Sequence, residues 1–360
     1  MQVRLVDNFA ELASLKEDWQ RLLGASRGNS VFHTWEWTET WWAVFGVRLQ
    51  LQVLIAEADS NVVGIAPLSL GTLKMGGISL RALQFLGQQG ETTTEYHDIL
   101  CKAEDEDAVC SAFANFIKQQ MAWDVFTGER MLDDSAACRW LLPHFTGDGY
   151  TIEQFKHEQP AYLPLGESLE SMLAAKSRNF RQQYRQSVRR LEKLGETKLL
   201  VAGKDMGVSE ALAIVAQLNR ERWQERGSSF KTDAYFAFHE KLAARFAENG
   251  WLWLAILTLD GEPVAARYDF CYGGKMWCFQ GGWHPKIKDC RPGTIMTGYA
   301  IEHATASSLK EYDFLCGEAD YKTRWSEGTR SSHNWEVFNK KTLRGKALPI
   351  LRAIKRKLSG

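Results

Sequence analysis

The sequence has no C-x-x-C pair, and its seven cysteines, at 101, 110, 138, 271, 278, 290 and 316, are odd in number and scattered. That spacing argues against a disulfide framework and a structural zinc site, and it fits a reducing compartment. There is no excess of charge either. Forty-four basic residues balance forty-four acidic ones, which argues against wholesale nucleic-acid binding and leaves DNA out of the expected partners. No apolar run reaches the length of a membrane span. The opening "MQVRLVDNFAELASLKEDW" carries acids and has no continuous apolar stretch, unlike a secretory leader. A cytoplasmic setting is expected. G-x-S-x-G, G-x-x-x-x-G-K-[ST] and a complete G-x-G-x-x-G are all missing, which disfavours hydrolase, P-loop and dinucleotide-binding chemistry. No set of His, Cys or carboxylate residues has metal-ligand spacing, so no metal is expected.

What the sequence has is aromatic weight: 14 Trp and 18 Phe in a chain that is 45% hydrophobic and 24% charged. Large aromatic clusters should fill cores or line a cleft. At 360 residues the chain is too long for one ordinary core, and two domains are expected.

Periodicity supplies the elements. Phe9, Leu12, Leu15, Trp19 and Leu22 predict a helix over 9–23, and Thr34 an N-cap for the next one. "LQVLIAEADSNVVGIAPLSL" reads as a hairpin turning at Asp59-Ser60-Asn61. A strand near 96–100, a helix near 106–120, the strand "WDVFTG", a helix near 134–146 and a strand near 150–158 complete a mixed first half. Pro160 and Pro164 mark a crossing point, giving domains over 1–160 and 161–340. The second half repeats the order of elements. Helix 167–194, strand 198–202 and helices near 208–226 and 232–248 precede three strands, "WLWLAILTL", "PVAARYDFCY" and "KMWCFQGGW". Helix 293–308, a strand at 312–317, a short helical stretch and the strand "NWEVFN" follow. A meander, a helix and a parallel return strand make an α+β layered domain with one crossover. From 340 onward eight Lys or Arg (340, 341, 344, 346, 352, 355, 356, 357) stand with no acid, beside Leu343, Leu348, Leu351, Ile354 and Leu358. This basic amphipathic tail, 341–360, suits an anionic membrane or an acidic partner, or else a docked terminal helix, and is expected to be dispensable for folding.

Several stretches can carry chemistry. Arg291-Pro292-Gly293-Thr294 stands at a strand-to-helix junction, where the amides of a first helical turn attract an anion. Pro-Gly also starts helices that bind nothing. "GEADYKTRW", 317–325, lies just past the return strand. There Glu318 or Asp320 is suited to accept a proton and Tyr321 to donate one, with Lys322 and Trp325 beside them. Arg178, Arg181, Arg185 and Arg189 form a row on helix 167–194, either a solvated face or a polyanion contact. Arg222 beside Trp223 fits a carboxylate or a brace between helices. His97 and Asp98 end a strand of the first domain.

"PVAARYDF", "RPGTIM", "YDFLCGEADYKTRW", "KSRNFRQQYRQSVRRLEKLG" and "LNRERWQERG" together resemble the acyltransferases of the GNAT superfamily. The resemblance is to the branch named for cellulose-biosynthesis-associated acetyltransferase-like proteins, and it covers nearly the whole chain. It implies two tandem GNAT-like domains, each a mixed, mainly antiparallel sheet flanked by helices, an arrangement shared with Fem-type aminoacyltransferases. It makes strand 275–283 the splayed strand along which pantetheine lies. Gln280, Arg291, Pro292, Gly293 and Thr294 would then hold acyl-CoA, with the pyrophosphate on the amides after Arg291. Glu318 becomes the base, with Asp320 and Tyr321 also catalytic. His97, Asp98, Arg222, Trp223, Tyr268, Lys322 and Trp325 fall to the acceptor. "RPGTIM" departs from the superfamily loop by lacking a second glycine. The expected activity is transfer of an acyl group from acyl-CoA to a small-molecule amine on a sugar or nucleotide-sugar, in exopolysaccharide or envelope biosynthesis. An aminoacyl-tRNA-dependent Fem-type transferase and a degenerate, non-catalytic GNAT binding module are the alternatives.

Overall fold

The computed structural model describes residues 1–88, 94–223, 227–317 and 320–349. The chain divides into two compact units, Met1–Glu158 with Ser331–Gly360, and Gln159–Arg330. Each is an α+β unit of mixed, mainly antiparallel sheet and flanking helices.

The first unit opens with β1 (Gln2–Val6), α1 (Phe9–Ser14), α2 (Lys16–Ala25) and α3 (Trp35–Phe45). The helix expected over 9–23 is two helices, because Leu15 turns out of helical geometry (φ −98°, ψ 13°) between them. Asn8 and Thr34 cap α1 and α3 by accepting from the amides of Glu11 and Trp37. Then come β2 (Gln50–Leu51), β3 (Val53–Ala58), β4 (Asn61–Ala66), β5 (Leu68–Met75) and β6 (Ile78–Phe85). β3 and β4 are the expected hairpin, with Asp59 and Ser60 at positive φ in its turn. β7 (Leu100–Cys101), α4 (Glu106–Gln120), β8 (Val125–Leu132) and β9 (Tyr150–Glu158) follow. The strand expected near 96–100 shrinks to Leu100–Cys101, since Tyr96 sits at φ 61°. The helix expected near 134–146 is a π turn, Ala137–Leu141, running into a 3₁₀ turn, Leu142–Phe145. One sheet has the order β1-β3-β4-β7, and β2, β5, β6, β8 and β9 belong to another. Pro67 lies between β4 and β5, where the chain passes from one sheet to the other; with no N–H to give, proline suits a break in the ladder.

The second unit contains β10 (Ala161–Pro164), α5 (Leu169–Ala175), α6 (Arg178–Glu192), β11 (Thr197–Val201), α7 (Val208–Arg222) and α8 (Asp233–Glu248). It continues with β12 (Leu252–Leu259), β13 (Glu262–Tyr272), β14 (Lys275–Trp283), α9 (Pro292–Ala306), β15 (Glu311–Asp313), α10 (Asp320–Trp325) and β16 (Gly328–Thr329). The helix expected over 167–194 breaks at Lys176-Ser177. The Ser177 hydroxyl accepts from the Phe180 amide and starts α6 afresh, as Ser168 starts α5. The sheet order is β11-β12-β13-β14-β15-β10-β16, and β14–β15 is its parallel pair. That pairing covers only Lys275–Trp277 against Glu311–Asp313, while β14 runs on to Trp283. Beyond Trp277 the two strands part.

The last strand, β17 (Ser332–Asn339), differs from expectation. "NWEVFN" does not extend the second domain's sheet; it lies between β8 and β9 in the first unit. Its alternate side chains Trp335 and Val337 complete that unit's core, where Trp335 meets Phe126 edge-on at 4.9 Å. The tail is not loose at its start either. Leu348, 2% exposed, packs with Leu80, Ala82, Val125 and Phe338. A Cβ on Gly345 would meet the Asn339 carbonyl at 2.3 Å, so only glycine fits there.

Candidate active site

Where β14 leaves β15, the second unit buries a polar network. Arg267 and Asp269 are two apart on β13 and so share a face. Arg267 Nε donates to both Asp269 oxygens at 3.0 and 2.9 Å, and Nη2 donates to the Tyr312 hydroxyl at 2.8 Å. Tyr312 donates in turn to Asp269 at 2.7 Å, and the Phe279 amide donates to it at 2.9 Å. Cys278, the first β14 residue past the paired stretch, accepts from Arg267 Nη2 at 2.5 Å. Its Sγ lies 3.8 Å from the Tyr321 hydroxyl on α10. Burial works against the Arg267 charge, but Asp269 more than compensates and holds the guanidinium's pKa well above its ordinary value. Burial pushes the Tyr321 phenol up, so it carries its proton at neutral pH. Arg267 Nη1 has no hydrogen bond among the described residues.

Farther along β14, two glycines let other backbone approach. A Cβ on Gly282 would lie 2.2 Å from the Asn219 amide nitrogen of α7, and one on Gly281 would lie 2.9 Å from the Ala266 carbonyl. Asn219 then stitches α7 to the strand, donating to the Gly281 carbonyl at 3.0 Å and to Gln280 at 3.3 Å. This docking sets Arg222, the last residue of α7, over the Trp283 ring at 5.5 Å and over Trp223 at 4.6 Å.

At the start of α9, Arg291 is in the left-handed region at φ 53°. Pro292 brings no N–H, and the amides of Thr294 and Ile295 donate back to the Arg291 carbonyl at 2.9 and 3.3 Å. The turn therefore has little beyond the Gly293 amide to give an anion. Gly293 borders open space: a Cβ there would meet only the Tyr321 ring, at 3.9 Å. Arg291 and Arg324 both donate to Gln183 Oε1, at 2.6 and 2.9 Å, which gathers two exposed cations beside α9.

Residues 178–323 match the model of the acetyltransferase (GNAT) domain. The second unit carries a GNAT domain. Among solved structures the chain is similar to FemX, at 13% identity and a TM-score of 0.61, over 95% of this chain and 98% of that one. It is also similar to L-PGS from Bacillus licheniformis, at 16% identity and TM-score 0.52 over 95% and 96%. A tandem GNAT protein from the clavulanic acid biosynthesis pathway gives 11% identity and TM-score 0.50 over 93% and 98%. These likenesses are of fold, and they make this a tandem, Fem-like GNAT fold. No curated sequence matches significantly.

The GNAT domain brings some of the expected residues together and keeps others apart. Tyr321, Arg222 and Arg291 flank the parting of β14 and β15 or the start of α9, as do Pro292, Gly293 and Thr294. Glu318 lies outside the described residues. Asp320 is exposed in the first turn of α10. Lys322 donates to the Cys316 carbonyl at 2.7 Å and closes the loop after β15. Trp325 is core, packed edge-on against Phe180 and Tyr184 at 4.9 and 5.6 Å. Tyr268 is core too, on the opposite face of β13 from Arg267, with its ring against His239, Phe270 and Phe279. Gln280 reaches Ser229 and Tyr235 at 3.3 and 3.5 Å as well as Asn219.

His97 and Asp98 belong to the first unit. Asp98, 2% exposed, accepts from the amides of Ile99, Ala136 and Ala137 at 2.8, 3.2 and 2.9 Å. Burial pushes its pKa up to about 7 against the pull of those amides. His97 is 1% exposed and stacked on Phe85 at 5.6 Å, and burial holds it neutral. Arg267, Asp269, Cys278 and Tyr312 went unmarked in the sequence reading. The available signal was Arg-x-Asp inside the otherwise apolar strand "PVAARYDFCY", an alternation that places both charges on one buried face. Among the described residues no group of three or more potential metal ligands occurs, and no helix is long and apolar enough to cross a membrane.

Proposed function

We propose that the GNAT domain transfers an acyl group from acyl-CoA to an amine at the parting of β14 and β15. The observation that carries this reading is the Tyr321 hydroxyl, kept protonated by burial and 3.8 Å from Cys278 where strand pairing ends. A proton held there is placed for a departing thiolate, and general acids of this kind contribute about 10²–10⁴ in rate. The backbone of β14 past Trp277 has an edge that β15 leaves unpaired, which suits the amide groups of an extended donor. Arg291, Arg324 and the Gly293 amide suit its phosphates. The donor supplies the activated carbonyl, and the chain's own residues orient it and handle protons. Glu318, from the "GEADYKTRW" motif, is the proposed base. The acceptor amine expected from the family likeness is borne on a sugar or nucleotide-sugar of envelope or exopolysaccharide synthesis.

A second reading takes aminoacyl-tRNA as donor. It is favoured by Arg178, Arg185 and Arg189, which line an open face of α6 with exposed side chains. Native mass spectrometry with acetyl-CoA decides between the two. One CoA per chain is expected, with affinity reduced more than tenfold in Arg291→Glu. Absence of CoA adducts together with salt-sensitive tRNA binding would replace the first reading with the second.

A further inference from the structure

Arg222 is a half-buried cation. Its guanidinium lies over Trp223 at 4.6 Å and Trp283 at 5.5 Å, and it makes no hydrogen bond or ion pair among the described residues. It stands at the C-terminal end of α7, where the helix dipole favours a positive charge without a counter-ion. The docking of α7 on Gly282 fixes its position, since the helix backbone passes too close for any side chain on residue 282. Burial depresses the Arg222 pKa, and the groups that act on it electrostatically are Tyr321, Arg267 and Cys278, so it belongs to the same cleft.

Among the described residues, charge in that cleft does not balance. Asp269 is wholly buried and taken by Arg267 and Tyr312. Lys322 spends its ammonium on the Cys316 carbonyl and has no acid partner among the described residues. Of these three cations, Arg222 is the one that makes no hydrogen bond among the described residues. A guanidinium flanked by indole rings is held by stacking and presents a flat, two-pronged edge, which matches a carboxylate in shape and in charge. An amine cannot play that part, because it must be neutral to attack.

We infer that Arg222, flanked by Trp223 and Trp283, binds a carboxylate on the acceptor, so that the GNAT domain acylates amines that also carry a carboxylate. This rests on the acyl-transfer reading given above. The test measures CoA release from acetyl-CoA with alanine, phenylalanine and glutamate, each beside its C-terminal amide, and with glucosamine and O-phosphoethanolamine. Wild type should favour at least one amino acid over its amide by about 10–100-fold in kcat/KM, the range for hydrogen bonds to a charged partner. That ratio should fall to near one in Arg222→Gln, with partial recovery in Arg222→Lys. Equal rates for acids and amides, a preference for glucosamine or O-phosphoethanolamine, or a ratio unchanged in Arg222→Gln would overturn the inference and leave acyl transfer standing. Should no amine release CoA, the acyl-transfer reading fails. Binding of N-acetylphenylalanine and its amide by saturation-transfer NMR then decides the subsite. A preference for the acid that is lost in Arg222→Gln upholds it; equal binding, or none, overturns it.

Discussion

Replacing Asp269 by alanine removes the carboxylate paired with Arg267. Asp269 is 0% exposed and Arg267 5%, so no water takes over the lost role. The variant strands a buried guanidinium and also frees the Tyr312 hydroxyl and the Phe279 amide, which donate to Asp269 at 2.7 and 2.9 Å. Breaking a buried pair from one side costs about 3–5 kcal/mol. For a unit of this size that is roughly 6–20 °C in melting temperature. Urea denaturation followed by circular dichroism, with calorimetry as a second probe, measures it. The companion double variant, Arg267→Met with Asp269→Leu, removes both charges and should recover most of the loss, because a buried pair seldom exceeds an apolar replacement in net stability. Asp269→Ala within about 1 kcal/mol of wild type, or a double variant less stable than the single, would refute the account of a dry, mutually dependent pair.

Tyr321→Phe should lower kcat by about 10²–10⁴ while acetyl-CoA still binds; turnover equal to wild type would remove the phenol as acid. His239, on the buried face of α8 against Tyr235, Tyr268 and Phe279, has its pKa lowered to about 3 by burial. The unfolded chain binds that proton near pH 6.5 and the folded one does not, so stability falls as pH drops through that window. His239 accounts for about 2 kcal/mol of loss between pH 7 and 5, and His239→Asn should remove that share of the pH dependence. Leu348→Ala should cost about 2–5 kcal/mol, the range for a buried leucine, and a melting temperature equal to wild type would restore the view of a dispensable tail.

The fold class and most element positions were legible because they follow local periodicity. Trp35, Trp37 and Trp41 on α3 are all buried, and the meander strands alternate or run apolar as their burial requires. Breaks were less visible. Ser177 ends one helix and starts another through a single side-chain bond, which competes with helix continuation too finely for composition to register. The site was half legible. Arg291, Gly293 and Tyr321 stand out by chemistry and position, whereas Tyr268 and Trp325 look like ligand contacts and are core. The Arg267–Asp269 pair was missed because a lone charge in an apolar strand has no meaning until its partner's face is known. Pairing of β17 with β8 could not be read from the sequence at all, since it joins segments about 200 residues apart and many registers would satisfy the same alternation.

That pairing has a consequence for how the protein is made. Glu158 and Ser332 are register partners on β9 and β17, and Ala161 pairs with Thr329 on β10 and β16. The second unit is thus an insertion in what would otherwise be a hairpin, leaving and re-entering the first unit at neighbouring points. During synthesis Gln159–Arg330 is complete before the larger sheet of the first unit has its sixth strand. Until residue 339 emerges, β8 and β9 each show the ribosome's surroundings an open edge, the template on which unwanted strands add. A nascent chain halted near residue 330 would therefore combine a finished GNAT domain with an aggregation-prone first half.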